Sequence, residues 1–318
     1  MGVHADREVL VVGGGVVGLT TALELLDAGY SVQVAARELL TDTTSAVAAA
    51  FWYPYAAYPE GQVTGWAQVS LRRYLVLADD PATGVLRREA LEIFPQVRSE
   101  PGWASVAEQF HPLVAAELPP GYADGFRFTT TVVETGVYLP WLQAQVQARG
   151  GRIVRRELRS LDEVREAPIA VICAGLGARA LVPDASVYPI RGQVVRVQNP
   201  GLTRVWIDEH SGPEITYIVP RSRDVVLGGS MDAHADDRTP DPARTREIVA
   251  RCARLEPRLA DAPIVSVAVG LRPARPAVRL ESETLGETRV IYNYGHGGAG
   301  VTLSWGCAAA VRALLSTP

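Results

Sequence analysis

Apolar and polar positions are most clearly ordered at the start of the chain. Residues 9–12, VLVV, form an unbroken apolar run that stops at Gly13, which predicts a short buried strand. Val16, Leu19, Leu23 and Leu26 then recur at three- and four-residue spacing with Ala22 beside them, the stripe of a helix that Gly29 ends. Residues 31–35 make a second strand, so the opening segment reads as a parallel βαβ unit with a right-handed crossover.

Residues 40–60 are small and hydroxyl-rich, then abruptly aromatic, as suits a segment threading past a bound ligand. The pattern predicts helices over 66–78 and 139–148 and strands over 152–156 and 170–174. Residues 81–125 hold many prolines and glycines without a period and read as surface loops and short helices. From residue 191 the runs GQVVRV, TRVWI, ITYIVP and DVVLGG predict an antiparallel sheet of at least four strands, with a helix over 245–255 behind it. The tail returns to a strand, VIYNYG, then a glycine-rich turn and a helix. The expected fold class is α/β. A Rossmann-like βαβ domain, discontinuous over 1–50, 130–190 and 265–318, joins a mainly antiparallel-sheet (α+β) domain over 51–129 and 191–264.

At 318 residues the chain buries roughly three quarters of its unfolded surface, so neither metal nor disulfide is needed for a core. The net charge of −4 gives no reason to expect nucleic acid. All 31 cationic residues are arginine, a compositional bias that argues for no ligand. Cys173, Cys252 and Cys307 cannot all pair and have no metal-knuckle spacing, and His4, His111, His210 and His234 are scattered; the expectation is no metal and a reducing, cytoplasmic setting. The N-terminus has no secretory pattern and the first apolar stretch is broken well short of a span, so no membrane partner is expected.

Candidate chemistry begins at Gly13, Gly15 and Gly18, a G-x-G-x-x-G between strand and helix. The first glycine permits the turn, the second lets pyrophosphate approach the backbone, and the third lets the helix pack close; Val16 and Val17 open the helix whose N–H groups face the anion. The motif says dinucleotide without saying which. No acid directly follows the second strand. Either Glu38 serves the adenosine ribose from a later position with Arg37 along the base, or the two form a solvated charge pair.

Further stretches, TTSAVAAAFWYPY, RGQVVRV, TYIVPR…VVLGG, RLEP, GLRPARPAVRLE and YNYGHGGAGVTLSWGCA, join the first motif in an order that resembles the D-amino-acid oxidase family over almost the whole chain. The resemblance extends to D-aspartate oxidases. It implies a two-domain flavoprotein with FAD held noncovalently. Arg37 and Glu38 match the adenosine-side pair in the order of fungal members. Thr43, Thr44 and Ser45 match a run touching the cofactor, and Leu158 a position whose backbone meets the adenine. Gly297, Gly298, Ala299, Gly300 and Thr302 match the loop over the flavin, where backbone N–H groups preceding a helix would stabilise negative charge. His296 is either catalytic or a packed histidine hydrogen-bonding across the domain.

The same resemblance assigns Arg272 to the substrate carboxylate, whose bidentate geometry a guanidinium matches. Arg275 and Arg279 lie close by and are not separable from it by composition. Tyr217 matches a tyrosine donating to that carboxylate, and the Gly298 carbonyl would accept from the substrate amine. Where mammalian members carry a lid tyrosine, this chain has Pro213, which implies a more open pocket. Tyr53 stands for a mammalian glutamine; Trp52, Tyr53 and Tyr55 either line the side-chain pocket or pack between domains. With Trp206 near the same pocket and no charged residue at matching positions, neutral D-amino acids are expected, Arg204 keeping acidic ones in view. Dioxygen would be co-substrate, and a homodimer is compatible. The alternatives are an oxidase for D-aspartate, glycine or N-methyl amino acids, a nicotinamide dehydrogenase, which gives the C-terminal glycine loop no role, and a non-enzymatic FAD-binding protein.

Overall fold

The computed structural model describes residues 7–54, 56–212 and 214–316. Two sheets organise them. The first has six strands in the order Arg279–Leu285, Thr288–Tyr294, Ile169–Ile172, Glu8–Gly14, Ser31–Leu39 and Arg152–Arg155. All neighbours are parallel except the edge hairpin. Its central strand is the VLVV run, buried on both faces as a parallel strand covered by helices must be. The helix Val16–Asp27 follows directly and packs against both Thr135–Ala148 and Gly300–Ser316. Residues 297–316 are apolar and long enough to cross a membrane by length and composition. Here the last helix is a core helix, wedged between Val16–Asp27 and Glu60–Leu77, with Trp305 donating to the Tyr138 hydroxyl at 2.8 Å.

The second sheet has nine strands. Along its main path run Asp232–Ala233, Tyr188–Gln198, Asp224–Gly228, Thr216–Pro220, Val205–Asp208, Val85–Phe94, Asp124–Val133 and Glu108–Pro112, and Ile264–Ala274 pairs with Tyr188–Gln198. Pairing is antiparallel except between Val85–Phe94 and Val205–Asp208. Two expectations change here. Residues 81–125 are not loops alone: they contribute the ten-residue interior strand Val85–Phe94. The stretch 265–274 and residues 130–133, assigned to the first domain, pair in the large sheet.

The aromatic segment leaves the first sheet and runs to the edge of the second, where Trp52 N donates to Thr131 O and Val133 N to Ala50 O. Buried Arg221 donates to the carbonyls of Ala48 and Ala49 at 2.9 and 3.1 Å, pinning that passage. The segment thus spans both sheets along the space between them.

Candidate active site

The carboxyl ends of the parallel strands open onto a cavity of about 400 Å³, closed from the other side by the large sheet. Ligands in open α/β sheets bind at this edge. Gly13 takes φ +128°, a conformation only glycine adopts at little cost, and a Cβ there would overlap the Cys173 carbonyl. A Cβ on Gly18 would overlap the Gly13 carbonyl oxygen, so the helix lies against its strand only because that side chain is absent. Gly18 faces the strand, while Gly13, Gly15, Val16 and Val17 line the cavity. The helix has no acidic residue in its first turn and no side chain on its cap, and Ser45 Oγ takes the Val16 N–H at 3.0 Å. An unopposed helix N-terminus with a glycine cradle fits a pyrophosphate.

At one end of the cavity Arg37 pairs with Glu38 at 3.0 Å and approaches Glu157 at 3.5 Å, above Leu158, which packs with Val12 and Ala35. The charge pair and the cavity wall are therefore the same residues. Thr43, Thr44 and Thr302 line the cavity with hydroxyls donating to the carbonyls of Leu40, Leu271 and Tyr53. Further along, Gly297, Gly298 and Gly300 form the wall where a short turn leads into the last helix. His296 is buried beside them, and burial pushes its pKa down to about 4, leaving it neutral. It packs, but the cross-domain hydrogen bond expected of it is missing at Nε2, which has no partner among the described residues.

Three arginines of GLRPARPAVR now separate. Arg275 pairs with Asp184 at 3.0 Å, and Arg279 pairs with Glu281 at 2.7 Å while lying over the Tyr292 ring. Arg272 has no carboxylate within ion-pair distance among the described residues; it donates to Ser230 O at 2.9 Å and faces the cavity. Tyr217 reaches the same place from the neighbouring part of the sheet. Burial raises its pKa, against a smaller opposing effect of Arg272, so its hydroxyl keeps its proton and can donate. Both side chains lie over glycines: a Cβ on Gly192 would overlap the Arg272 guanidinium, and one on Gly228 the Tyr217 ring. Those glycines and Ser230 were not singled out from sequence, since their role depends on cross-strand register.

Tyr53 lines the cavity and is packed with Trp103 and Phe128 in the core against the large sheet. Trp52 is fully buried in the core. Tyr55 and Pro213 lie outside the described residues. Trp206 does not line the cavity. It pairs with Ile218 while its neighbour Ile207 pairs with Tyr217, and alternation along a strand sends Trp206 to the opposite face, where it packs with Leu91 and Ile93. Arg204 is likewise removed, paired at the surface with Glu89 at 2.7 Å.

Two acids lie behind the Tyr53 ring, outside the cavity lining. The Tyr53 hydroxyl donates to buried Glu92 Oε1 at 2.6 Å, and Glu209 lies beside the same hydroxyl. Burial raises Glu92 to about 7, partly offset by the Tyr53 hydrogen bond; burial and then the charge of Glu92 raise Glu209 to about 8. Carboxyls whose pKa is higher in the folded than in the unfolded chain stabilise the fold below pH 4.5, and that contribution is lost as pH rises through 7 and 8. Thermal melts are therefore expected to show stability falling between pH 5 and 8 by on the order of 2 kcal/mol, with Glu209→Gln flattening the decline. Parallel profiles for wild type and variant would contradict this.

A family model described as FAD dependent oxidoreductase (DAO) matches residues 8–314. A D-amino-acid oxidase of Rubrobacter xylanophilus is 48% identical over 308 residues, covering 96% of this chain and 94% of the relative. A human D-aspartate oxidase is 36% identical over 327 residues, covering 97% and 94%. Among solved structures, a glycine oxidase from Geobacillus kaustophilus superposes with TM-score 0.80 at 19% identity over 98% of this chain and 95% of the other, a likeness of fold. The pyrophosphate cradle, the glycine loop and the extent of these matches agree: the chain belongs to the DAO family of FAD-dependent oxidoreductases.

Proposed function

We propose that the chain deaminates D-α-amino acids oxidatively, converting amino acid, water and dioxygen into 2-oxo acid, ammonia and hydrogen peroxide. The observation that carries this is Arg272, a cavity-facing guanidinium with no carboxylate of its own among the described residues, beside the protonated Tyr217 hydroxyl. FAD, when bound, supplies the acceptor for the α-hydrogen as hydride and returns the electrons to dioxygen. The chain contributes orientation. Arg272 and Tyr217 hold the substrate carboxylate, and the Gly298 carbonyl accepts from the amine. With the amine bound neutral, no side-chain base is called for. Two fixed anchors leave one C–H direction for reaction, so the L-enantiomer on the same anchors turns its hydrogen away.

Arg204, the cation kept in view for acidic substrates, is engaged with Glu89 at the surface, so neutral D-amino acids suit the cavity better than D-aspartate. Anaerobic mixing of the FAD-loaded protein with paired D- and L-amino acids tests the reading. Bleaching of the flavin by D-isomers alone is expected. Bleaching by L-isomers, or by none, would overturn it.

A further inference from the structure

The helix Pro242–Leu255 packs on the outer face of the large sheet, away from the cavity. Its start is fixed by buried Gln193, whose amide donates to Asp241 O and Thr245 Oγ1 at 2.9 Å and whose Oε1 accepts from Asp241 N at 2.7 Å. Arg244, Ile248 and Arg251 fall at i, i+4 and i+7, one stripe of the helix, and Ile248 and Cys252 are buried against the sheet. The two arginines that flank Ile248 reach the same two chain segments.

Arg251 donates to Thr216 Oγ1 at 3.3 Å and to Gly229 O at 2.7 Å. Two turns earlier, Arg244 pairs with Glu214 at 2.6 Å, with Asp232 at 3.2 Å and more loosely with Glu247 of its own helix at 3.7 Å. Glu214 and Thr216 flank Ile215, while Gly229 and Asp232 enclose Ser230 and Met231. Ile215 and Met231 line the cavity, and Ser230 O is the carbonyl that accepts from Arg272. Both bridged segments are thus pieces of the wall around the carboxylate anchor. Their backbones are joined at Gly229 N and Ile215 O, 2.8 Å apart. Past that bond Glu214 and Asp232 meet through the Arg244 guanidinium. Asp232 has a second holder in Arg191 at 3.2 Å, whereas Glu214 has no other cation within ion-pair distance among the described residues. Loss of Arg244 therefore frees the Ile215 side of the wall first.

We propose that Arg244, backed by Arg251, is a positioning residue for the oxidation: it fixes the separation of the Ile215 and Met231 walls and so sets how bulky a substrate side chain the cavity accepts. This rests on the D-amino-acid reading of the site. Neither arginine lines the cavity; both act through the residues they hold. A guanidinium suits the task because its planar fork addresses two carboxylates at once, which an ammonium cannot do in the same geometry. A wall tied to a helix that is itself packed and pinned keeps its place when a side chain presses on it. Untied, it yields to bulk and holds a small side chain less closely.

The test compares kcat/KM for D-phenylalanine and D-alanine in the FAD-loaded enzyme and its variants. Arg244→Ala is expected to raise the D-phenylalanine to D-alanine ratio by about threefold or more, a modest factor because the bridge is only partly buried. The change should come chiefly through KM, with the flavin absorbance unchanged. Glu214→Gln, which keeps the shape and removes the charge, should move the ratio the same way, and adding it to Arg244→Ala should move it no further. Arg244→Lys should restore part of the wild-type ratio. Arg312→Ala, which breaks the surface pair with Glu24 and leaves the cavity lining alone, is the control and should not shift it. Where Arg244→Ala fails to fold, Glu214→Gln decides. A smaller change, a fall in the ratio, or an equal shift in Arg312→Ala overturns the proposal. Flavin reduced by no D-amino acid in the wild type would instead sink the underlying function, so the two failures are distinguishable.

Discussion

Arg272→Ala is expected to lower kcat/KM for D-alanine between about 30- and 5,000-fold while the purified protein stays yellow with FAD. Removing one partner of a desolvated, hydrogen-bonded charge pair costs about 2–5 kcal/mol, and each 1.4 kcal/mol is tenfold. The cost falls on substrate binding and orientation, because the pyrophosphate cradle is built by other residues on the first sheet. Arg272→Lys should restore only part of the loss, since an ammonium cannot offer two parallel bonds. Arg275→Ala is the informative control. It breaks the pair with Asp184, so it should reduce stability with little change in kcat/KM. Unchanged kinetics in Arg272→Ala, or equal losses in the two alanine variants, would dispose of the anchor.

That contrast among neighbouring arginines marks the boundary of what the chain discloses before it folds. The βαβ opening was legible because strand, stripe and glycines are contiguous, and each follows from local sterics. The individual role of Arg272 came from the family resemblance and not from composition, because what distinguishes it from Arg275 and Arg279 is that their carboxylates, Asp184 and Glu281, lie within reach and, among the described residues, none lies beside it. Residue type carried the chemistry; only tertiary pairing could distribute it.

The strand Val85–Phe94 shows a second limit. Its far half is covered on both faces, Leu91 and Ile93 by one cluster and Ala90 by another, so the simple alternation of a half-exposed strand is absent. Glu92, between two apolar residues, looks like the solvent side of such an alternation and instead points at Tyr53. The row Glu92–Ile207–Tyr217 joins a distant strand to two consecutive ones, and register alone puts Glu92 beside Ile207. Trp206 failed for the same reason in reverse: one residue along a strand changes the face. Replacing Glu92 or Glu209 by glutamine should make the protein more stable at pH 8, because each loses a carboxyl that burial penalises when ionised.

Gly18→Val separates the two duties of the glycine turn. Its side chain would be driven into the Gly13 carbonyl, backbone against backbone, with no flexible neighbour to yield. The helix would have to leave the strand, taking its N-terminus out of line with the cavity, so both stability and FAD should be lost. Overpacking costs about 1–3 kcal/mol even in adaptable cores, and this site is less adaptable. Gly15→Val should behave differently. Gly15 has φ −80°, open to any residue, and a Cβ there meets only Ser45 Oγ at 3.0 Å, so the apoprotein should melt close to wild type. Its added atoms occupy the space the pyrophosphate needs, so flavin content, read from absorbance near 450 nm against protein, should fall about tenfold or more, the consequence of losing 1.4 kcal/mol in binding. Gly61→Ala, on an exposed helix start with open space around it, should retain full FAD and shows that the effect is not one of glycine loss in general. Full flavin content in Gly15→Val would mean that the phosphates do not approach this turn, and the cofactor end of the cavity would have to be placed elsewhere.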